Sequence, residues 1–203
     1  MEYLGNAKMN EDDLKREAVK TLRSFQEAAA LAGVRWFLTA GTLLGAIRDS
    51  DFCPGDADDI DIGVFDEDFD RMGLVTEGSW FRVISRFIYK ERIEGVKLEL
   101  ADGHVHIDVS RTRKHPQTGD RYDIGTVCID DKRVYVANIY PASHFRYLDV
   151  ISFQGIPCNI PSHPEGLLEY RYGKDWQTPV HRDNWDWLSK IPSEAIRIEY
   201  DQL

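Results

Sequence analysis

The sequence predicts an α+β fold, a mixed β-sheet with flanking helices, and three observations support this class. Apolar residues near the N-terminus recur at spacings of three and four, as on one face of an amphipathic helix. Several later runs alternate between apolar and polar residues, which is typical of half-buried strands. Short helix-like segments stand among these runs. We expect elements of both kinds, in a chain of this length, to share one core.

The first predicted element is an amphipathic helix over residues 11–32. Its side chains would pack on the sheet through an apolar stripe of Leu14, Ala18, Leu22, Phe25 and Ala29. Asn10 suits the N-cap, because its side chain can accept a hydrogen bond from a backbone N–H of the first turn. Gly33 suits the C-terminal end, because glycine adopts the left-handed conformation at little cost.

Strand and helix patterns then alternate as far as residue 73. The sequence predicts a strand over residues 34–39 and a short helix over residues 42–48. Residues 49–57 are predicted to form a loop before a strand over residues 59–64. A short helix over residues 66–73 follows.

The remaining chain is predicted to be mostly strands. Strand-like runs cover residues 80–90, 95–101 and 104–110, a pair within 124–138 and a pair within 147–160. The polar, turn-rich stretch at residues 111–123 predicts a surface loop. Residues 164–172 are predicted to form a final helix that ends at Gly173.

Length and composition indicate a globular protein. The 203 residues are expected to form a single domain, 1–203, with residues 1–10 as a candidate flexible segment. No apolar run approaches the roughly 20 residues of a membrane helix, and the N-terminus lacks the apolar core of a signal peptide. The three cysteines are widely spaced, so free thiols and a cytoplasmic protein are expected.

The charge distribution indicates which kinds of ligand the protein can bind. A formal net charge of −10 argues against nucleic acid, whose phosphates attract a basic surface. The acidic residues are concentrated between residues 49 and 70, where no Lys or Arg occurs. Such a run is commonly solvated, and this is our interpretation of the acids within residues 66–70.

Asp59 and Asp61 are the strongest candidates for catalytic residues. They alternate with Ile60 and Ile62, so both carboxylates should project from one face of a strand. Neighbouring carboxylates repel each other unless a positive charge lies between them, and a divalent cation such as Mg²⁺ is the usual partner. The alternative interpretation is a solvated surface pair.

A later strand supplies a third acid, Asp108, between Ile107 and Val109. A triad of Asp59, Asp61 and Asp108 on adjacent strands suits two metal ions and an in-line displacement at phosphorus. A local hydrogen-bonding role is the alternative for Asp108. His106 shares the predicted face of Asp108, and contact with substrate or metal and a purely structural role are both open for it.

Gly41, Thr42 and Arg48 are the candidate phosphate-binding residues. Gly41 and Thr42 open the short predicted helix, and helix N-terminal amides bind anions. Arg48 ends that helix, and a guanidinium can bind a diphosphate in a bidentate manner. The alternatives are an ordinary helix start and a charge that favours the helix dipole.

These motifs resemble the LicD/fukutin family within the nucleotidyltransferase-fold superfamily. The resemblance rests on GTLLGAIR at residues 41–48, FCP at 52–54 and DDIDIG at 58–63. The Tyr172-Gly173 pair and the Trp-x-x-Pro element beginning at Trp176 support it. One departure concerns the loop before the acids, where the family's Pro-Trp-Asp-Asp-Asp-Ile-Asp is replaced by PGDADDID.

The resemblance implies a metal-dependent phosphotransferase on a nucleotidyltransferase-like fold. Such an enzyme moves a phospho-alcohol, such as phosphocholine or ribitol phosphate, from a CDP-alcohol to a glycan hydroxyl and releases CMP. Asp59, Asp61 and Asp108 would then hold Mg²⁺ or Mn²⁺, with Asp108 also a candidate proton acceptor.

Two alternatives stay open at this point. A nucleotidyltransferase would instead transfer NMP from an NTP donor to a small-molecule or sugar hydroxyl. A catalytically silent binding protein would keep the same fold. The donor alcohol, the acceptor and the oligomeric state are not determined by the sequence.

Overall fold

The computed structural model describes residues 9–77, 81–129, 132–180 and 196–197. The helices are α1 (Glu11–Ala32), α2 (Ala40–Arg48), α3 (Asp66–Phe69), α4 (Met72–Thr76) and α5 (Pro164–Tyr172). The strands are β1 (Trp36–Leu38), β2 (Asp59–Phe65), β3 (Phe81–Tyr89), β4 (Arg92–Leu100), β5 (His106–Lys114), β6 (Arg121–Ile129), β7 (Lys132–Tyr140), β8 (Leu148–Phe153), β9 (Ile156–Pro161) and β10 (Ile196–Arg197). This combination confirms the predicted α+β class. Most of the candidate flexible segment 1–10 lies outside the described residues.

In the described part of the chain, eight strands form one mixed sheet. Its main path has the order β1-β2-β5-β6-β7-β10, while β4 pairs with β5 and β3 pairs with β4. β2 and β5 run parallel, and the other pairs are antiparallel. β5 pairs with β4 along residues 106–110 and with β6 at residues 113–114. The hairpin β3–β4 therefore contacts the first part of β5 through β4, and the hairpin β6–β7 contacts the last residues of β5 through β6.

Helix α1 has the predicted bounds and packs into the main core. The Asn10 side chain accepts a hydrogen bond from the Asp13 N–H at 2.9 Å, and Gly33 ends the helix with a φ of 66°. The apolar side chains Leu22 and Phe25 are fully buried in the same cluster as Ile60, Ile62 and Ile107 of the central strands. One face of the β2–β5 pair is thus committed to the core, and its polar residues are left for the other face.

The predicted surface loop at residues 111–123 is wrong at both ends. β5 continues to Lys114, and β6 already begins at Arg121. The basic residues of β5 are paired with acids: Arg111 donates to Asp66 at 3.0 Å and to Asp70 at 2.6 Å. Polar composition suggested a loop, whereas ion pairs from other elements allow the strand to continue.

The prediction that the acids within residues 66–70 are solvated is wrong for Asp68, whereas the Asp70 side chain is 90% exposed. The Asp68 side chain is only 2% exposed, and it forms ion pairs with Arg35 and Arg71. The helix predicted over residues 66–73 is also divided into α3 and α4. These acids therefore hold the connection after β2 against neighbouring elements.

The C-terminal part follows the prediction closely. β8 and β9 form a two-stranded hairpin, and its turn residues Gln154 and Gly155 have positive φ angles of 52° and 71°. Helix α5 has the predicted bounds and ends at Gly173, with a φ of 87°. Cys53 and Cys158 are free cysteines, as expected. No helix among the described residues is long and apolar enough to cross a membrane.

Candidate active site

The parallel pairing of β2 and β5 brings the three predicted acids together. Asp61 lies directly beside Asp108 in the register, and Asp59 lies beside His106. All three carboxylates are half-buried, whereas Ile60, Ile62 and Ile107 on the opposite face are fully buried. The alternation deduced from the sequence is therefore confirmed, and the triad lies on one face of two neighbouring strands.

The N-terminus of α2 orients Asp61. The backbone N–H groups of Gly41 and Thr42 donate to Asp61 Oδ2 at 2.9 and 3.4 Å. In return, the Asp61 N–H donates to Thr42 Oγ1 at 2.8 Å. A Cβ at position 41 would lie 2.5 Å from Asp56 Oδ2 and 3.2 Å from Asp61 Oδ2, so a larger residue would require these carboxylates to shift. In this structure Gly41 and Thr42 position a carboxylate, and their contact with phosphate remains a prediction.

Lys97 is a member of the site that the sequence interpretation missed. It lies on β4 directly opposite Asp108. Its Nζ is 3.1 Å from Asp108 Oδ2 and 3.6 Å from Asp59 Oδ1. Asp59 and Asp108 raise the pKa of Lys97 against the opposing effect of burial, so the ammonium stays charged. Its position in the alternating run of β4 was visible in the sequence, but its strand neighbour was not.

The negative charge of the site is only partly compensated. Burial, reinforced by Asp59, Asp56 and Asp108, raises the pKa of Asp61 to about 8. Burial and Asp59 also raise the pKa of Asp108, although Lys97 opposes this. Asp59 Oδ1 is buried without a hydrogen-bond partner. A further cation would relieve this accumulation of charge.

His106 lies on the same strand face as Asp108, as predicted. It is half-buried beside Asp59, and its Nδ1 is buried without a hydrogen-bond partner. His106 is among the smaller influences that lower the pKa of Asp108. The structure therefore brings His106 to the edge of the triad, and a contact with substrate remains a prediction.

A cavity of about 340 Å³ opens beside Asp61. We call it the arginine cavity, because Arg48 and Arg171 line it together with Tyr172 and Trp176. Arg48 is held by Asp49, with Nη2 donating to Asp49 Oδ2 at 2.6 Å. The cavity thus places two cationic side chains and two aromatic rings next to the acidic triad.

Arg171 is a second residue of the site that is not among the residues predicted from the sequence. Its Nη1 donates to the Tyr140 hydroxyl at 2.7 Å, and that hydroxyl donates to Asp123 Oδ2 at 2.6 Å. Asn138 completes this buried chain by donating to Asp123 Oδ1 at 2.5 Å. The Nε of Arg171 is buried without a hydrogen-bond partner. Arg171 also lowers the pKa of Asp61 against burial and the neighbouring carboxylates, so its charge is felt at the triad.

The donor set suits a hard divalent cation, although the side chains are not arranged as a complete ligand shell. Within the described ranges, no group of three or more His, Cys, Asp or Glu side chains is placed to hold a metal ion. The fit rests instead on chemistry: carboxylate oxygens are the ligands that Mg²⁺ prefers, and the Lys97 ammonium lies 3.6 Å from the buried Asp59 Oδ1, beyond ordinary hydrogen-bond distance. A cavity of about 630 Å³ lined by Asp59, Asp61 and Asp108 provides the space.

Comparison with known proteins gives a family and several relatives. The model of the family described as "LicD/FKTN/FKRP, nucleotidyltransferase domain" matches residues 33–163. Ribitol 5-phosphate transferase FKRP of Mus musculus is 27% identical over 165 residues, which cover 78% of this chain and 31% of that protein. Ribitol-5-phosphate transferase FKTN of Homo sapiens is 25% identical over 191 residues, which cover 90% of this chain and 39% of that protein. The chain thus spans between 31% and 39% of the length of these relatives.

Among solved structures, one of ANT(2")-Ia in complex with adenylyl-2"-tobramycin is similar with a TM-score of 0.47 and 16% sequence identity. The similarity covers 84% of this chain and 82% of that one.

Proposed function

This chain belongs to the LicD/FKTN/FKRP family of nucleotidyltransferase domains, and on that premise we propose that it is a phosphotransferase. It would move a phospho-alcohol from a CDP-activated donor to a glycan hydroxyl and release CMP. Two relatives are named as ribitol phosphate transferases, so we favour ribitol phosphate over phosphocholine. The observation that carries the proposal is the triad of Asp59, Asp61 and Asp108 beside the arginine cavity.

The arginine cavity is the proposed donor site. Arg48 and Arg171 would offset the charge of the donor diphosphate, for which a guanidinium is well shaped. Trp176 and Tyr172 offer aromatic surfaces against which a nucleobase can pack. The buried chain from Arg171 through Tyr140 to Asp123 would hold that guanidinium in place before the donor arrives.

Asp59, Asp61 and Asp108 would hold the metal ion, Mg²⁺ or Mn²⁺. A bound ion would supply electrostatic stabilisation to the donor phosphates. The amides of Gly41 and Thr42 contribute by fixing the orientation of the Asp61 carboxylate. Lys97 contributes a permanent positive charge beside Asp59 and Asp108.

The proposed reaction forms one bond and breaks one bond at phosphorus. The acceptor oxygen attacks the phosphorus that carries the alcohol, and the bond from that phosphorus to the oxygen of CMP breaks. Asp108 would accept the proton of the attacking hydroxyl, and the pKa that burial and Asp59 raise supports this role. Arg48 and Arg171 would stabilise the charge on the departing CMP.

A product assay tests this proposal. The purified protein and Mn²⁺ would be incubated with CDP-ribitol, CDP-choline, CDP-glycerol or an NTP, with simple sugars as acceptors. Metal-dependent release of CMP from one CDP-alcohol is the expected result, and the Asp61→Asn variant should lose it. Release of pyrophosphate from an NTP would instead identify a nucleotidyltransferase. Neither product, with no change of the unfolding temperature by Mn²⁺, would favour a catalytically silent protein.

A further inference from the structure

A third cavity reaches the triad between the hairpins β3–β4 and β6–β7. It has a volume of about 310 Å³ and includes Asp61 and Asp108 at its inner end. We call it the hairpin cleft. Its other lining residues include Ser85, Phe87, Lys97, Ser110 and Thr126. Hydroxyl groups and one aromatic ring therefore accompany the catalytic carboxylates along this cavity.

The register of the sheet explains why the cleft exists. Gly95 lies opposite Ser110 on β5 and opposite Phe87 on β3. A Cβ at position 95 would lie 3.0 Å from the carbonyl oxygen of Val109, so a larger residue would crowd the floor. On the other wall, a Cβ at Gly125 would meet its nearest neighbour at an ordinary 3.5 Å. Glycine at position 125 is therefore not required by the backbone, but it keeps the cleft open.

Aromatic contacts connect the two hairpins beyond this cavity. The Phe87 and Tyr135 rings lie 5.9 Å apart between centroids, and the Tyr89 and Tyr135 rings lie 4.7 Å apart. These contacts tie the hairpin β3–β4 to the hairpin β6–β7, so the walls of the cleft are held together. Phe87 is both a wall residue of the cleft and a part of this connection.

The hairpin cleft and the arginine cavity have Asp61 in common and otherwise different walls. The arginine cavity offers guanidinium groups for a multiply charged ligand. The hairpin cleft offers Ser85, Ser110 and Thr126, whose hydroxyls both donate and accept hydrogen bonds. Transfer at phosphorus needs the attacking oxygen and the leaving oxygen roughly in line, hence two ligands that approach the reacting centre from different directions.

We propose that the hairpin cleft binds the acceptor, and that this acceptor is a polyhydroxylated molecule, a sugar or an alditol. Its hydroxyls exchange hydrogen bonds with the serine and threonine side chains, and its C–H groups pack on Phe87. The hydroxyl that reacts lies at the inner end, beside Asp108 and Lys97. The assignment of this ligand as acceptor rests on the proposed function, whereas its binding to the cleft is measured independently.

The test fills the cleft and measures binding of small sugars. Saturation-transfer NMR would be recorded on the full chain with free ribitol, galactose or N-acetylgalactosamine as the probe. Gly125→Val should reduce the sugar signals by about tenfold or more, because the new side chain takes the space of the ligand. CDP-ribitol signals should keep their intensity in Ser85→Tyr, because Ser85 lines the hairpin cleft but neither of the other two cavities. Gly125→Val does not test donor binding, since Gly125 also lines the cavity of the triad. Gly73→Val is the matched control, since a Cβ there meets nothing within 4 Å and the residue lies outside the cleft.

A second filling variant, Ser85→Tyr, keeps the test decisive if Gly125→Val does not fold. The proposal is overturned if no sugar gives a signal with the wild-type protein, or if both folded variants keep wild-type sugar signals. If the wild-type protein releases CMP and the filled variants keep its sugar signals, the cleft is not the sugar site, while the proposed function is retained. If the filled variants lose the sugar signals but the wild-type protein releases no CMP, the cleft binds carbohydrate and the proposed function is wrong.

Discussion

Two groups of acids follow each other closely in the sequence and end in opposite environments. Asp66, Asp68 and Asp70 each contact an arginine, and Asp68 is buried between Arg35 and Arg71. Asp59 and Asp61 lie on β2 just before them, where Lys97 and the amides of α2 supply only partial compensation. Acidic residues therefore have two roles here. Acids paired with arginines, which we call compensated, hold elements together. Acids that lie close to one another, which we call crowded, favour the binding of a cation or a substrate.

The largest expected effect concerns activity. Asp59→Ala and Asp108→Ala should each reduce CMP release by about a thousandfold or more, because the metal site and the proton acceptor are lost. The measurement is the rate of CMP formation from CDP-ribitol with Mn²⁺. Asp70→Ala is the control, since its side chain is 90% exposed on the compensated side. Near-full activity in either triad variant would contradict the assignment of the site.

For stability we expect the opposite ranking: loss of a compensated acid should destabilise the protein more than loss of a triad acid. Asp68→Ala should lower the free energy of unfolding by about 2 kcal/mol, because Arg35 and Arg71 lose the buried carboxylate that they share. Asp61→Asn should cost much less at neutral pH, since the raised pKa leaves the Asp61 carboxyl largely neutral already and asparagine keeps an oxygen for the amides of Gly41 and Thr42. Urea unfolding of both variants measures this. A larger loss in Asp61→Asn than in Asp68→Ala would contradict the division into compensated and crowded acids.

A pH dependence distinguishes the two groups further. Burial raises the pKa of Asp61 from an ordinary value of 3.8 to about 8. Between these values the folded state keeps a proton that the unfolded state has lost, so this group makes stability fall as the pH rises. The slope from one such group is at most about 1.4 kcal/mol per pH unit.

Unfolding curves of the wild-type protein and of Asp61→Asn between pH 5 and 8, without metal, measure this slope. The variant should show a flatter dependence. Identical slopes in the two proteins would show that Asp61 does not hold its proton in this window.

The smallest expected effect comes from the single lysine among the triad carboxylates. Lys97→Met should lower the free energy of unfolding by about 1 kcal/mol without metal, because Asp59 and Asp108 lose their nearest cation. Added Mn²⁺ should then raise the unfolding temperature more in this variant than in the wild type. Lys15→Met is the matched control: Lys15 lies 2.7 Å from Asp51 and has a similar exposure, but it lies away from the triad. An equal response to Mn²⁺ in both variants would place Lys97 outside the metal site.

Local pattern was sufficient for much of the fold. The spacing of apolar residues predicted α1 with its exact bounds, and glycine and asparagine in the expected positions cap it. The hairpin β8–β9 was predicted from alternation, and helix α5 from a helix-like run that ends at Gly173. These features depend on residues close together in the chain, and their physical basis is the periodicity of helices and strands.

Local pattern was also sufficient to assign Asp59, Asp61 and Asp108 to the faces of their strands that point away from the core. Alternation determines which side chains leave the core, whatever the strand pairing is. It does not determine which strands become neighbours. Only the parallel pairing of β2 with β5 placed Asp61 beside Asp108, and only the pairing of β4 placed Lys97 opposite it.

The errors have the same origin. Residues 111–114 looked like a loop because of their charge. They pair instead with β2 and β6, and Asp66, Asp70 and Glu94 compensate the two arginines. Asp68 also looked solvated because of its charge. The sequence by itself determined the periodicity of the elements and the face on which each acid lies. The tertiary structure decided which charges meet, because that depends on contacts between residues far apart in the chain.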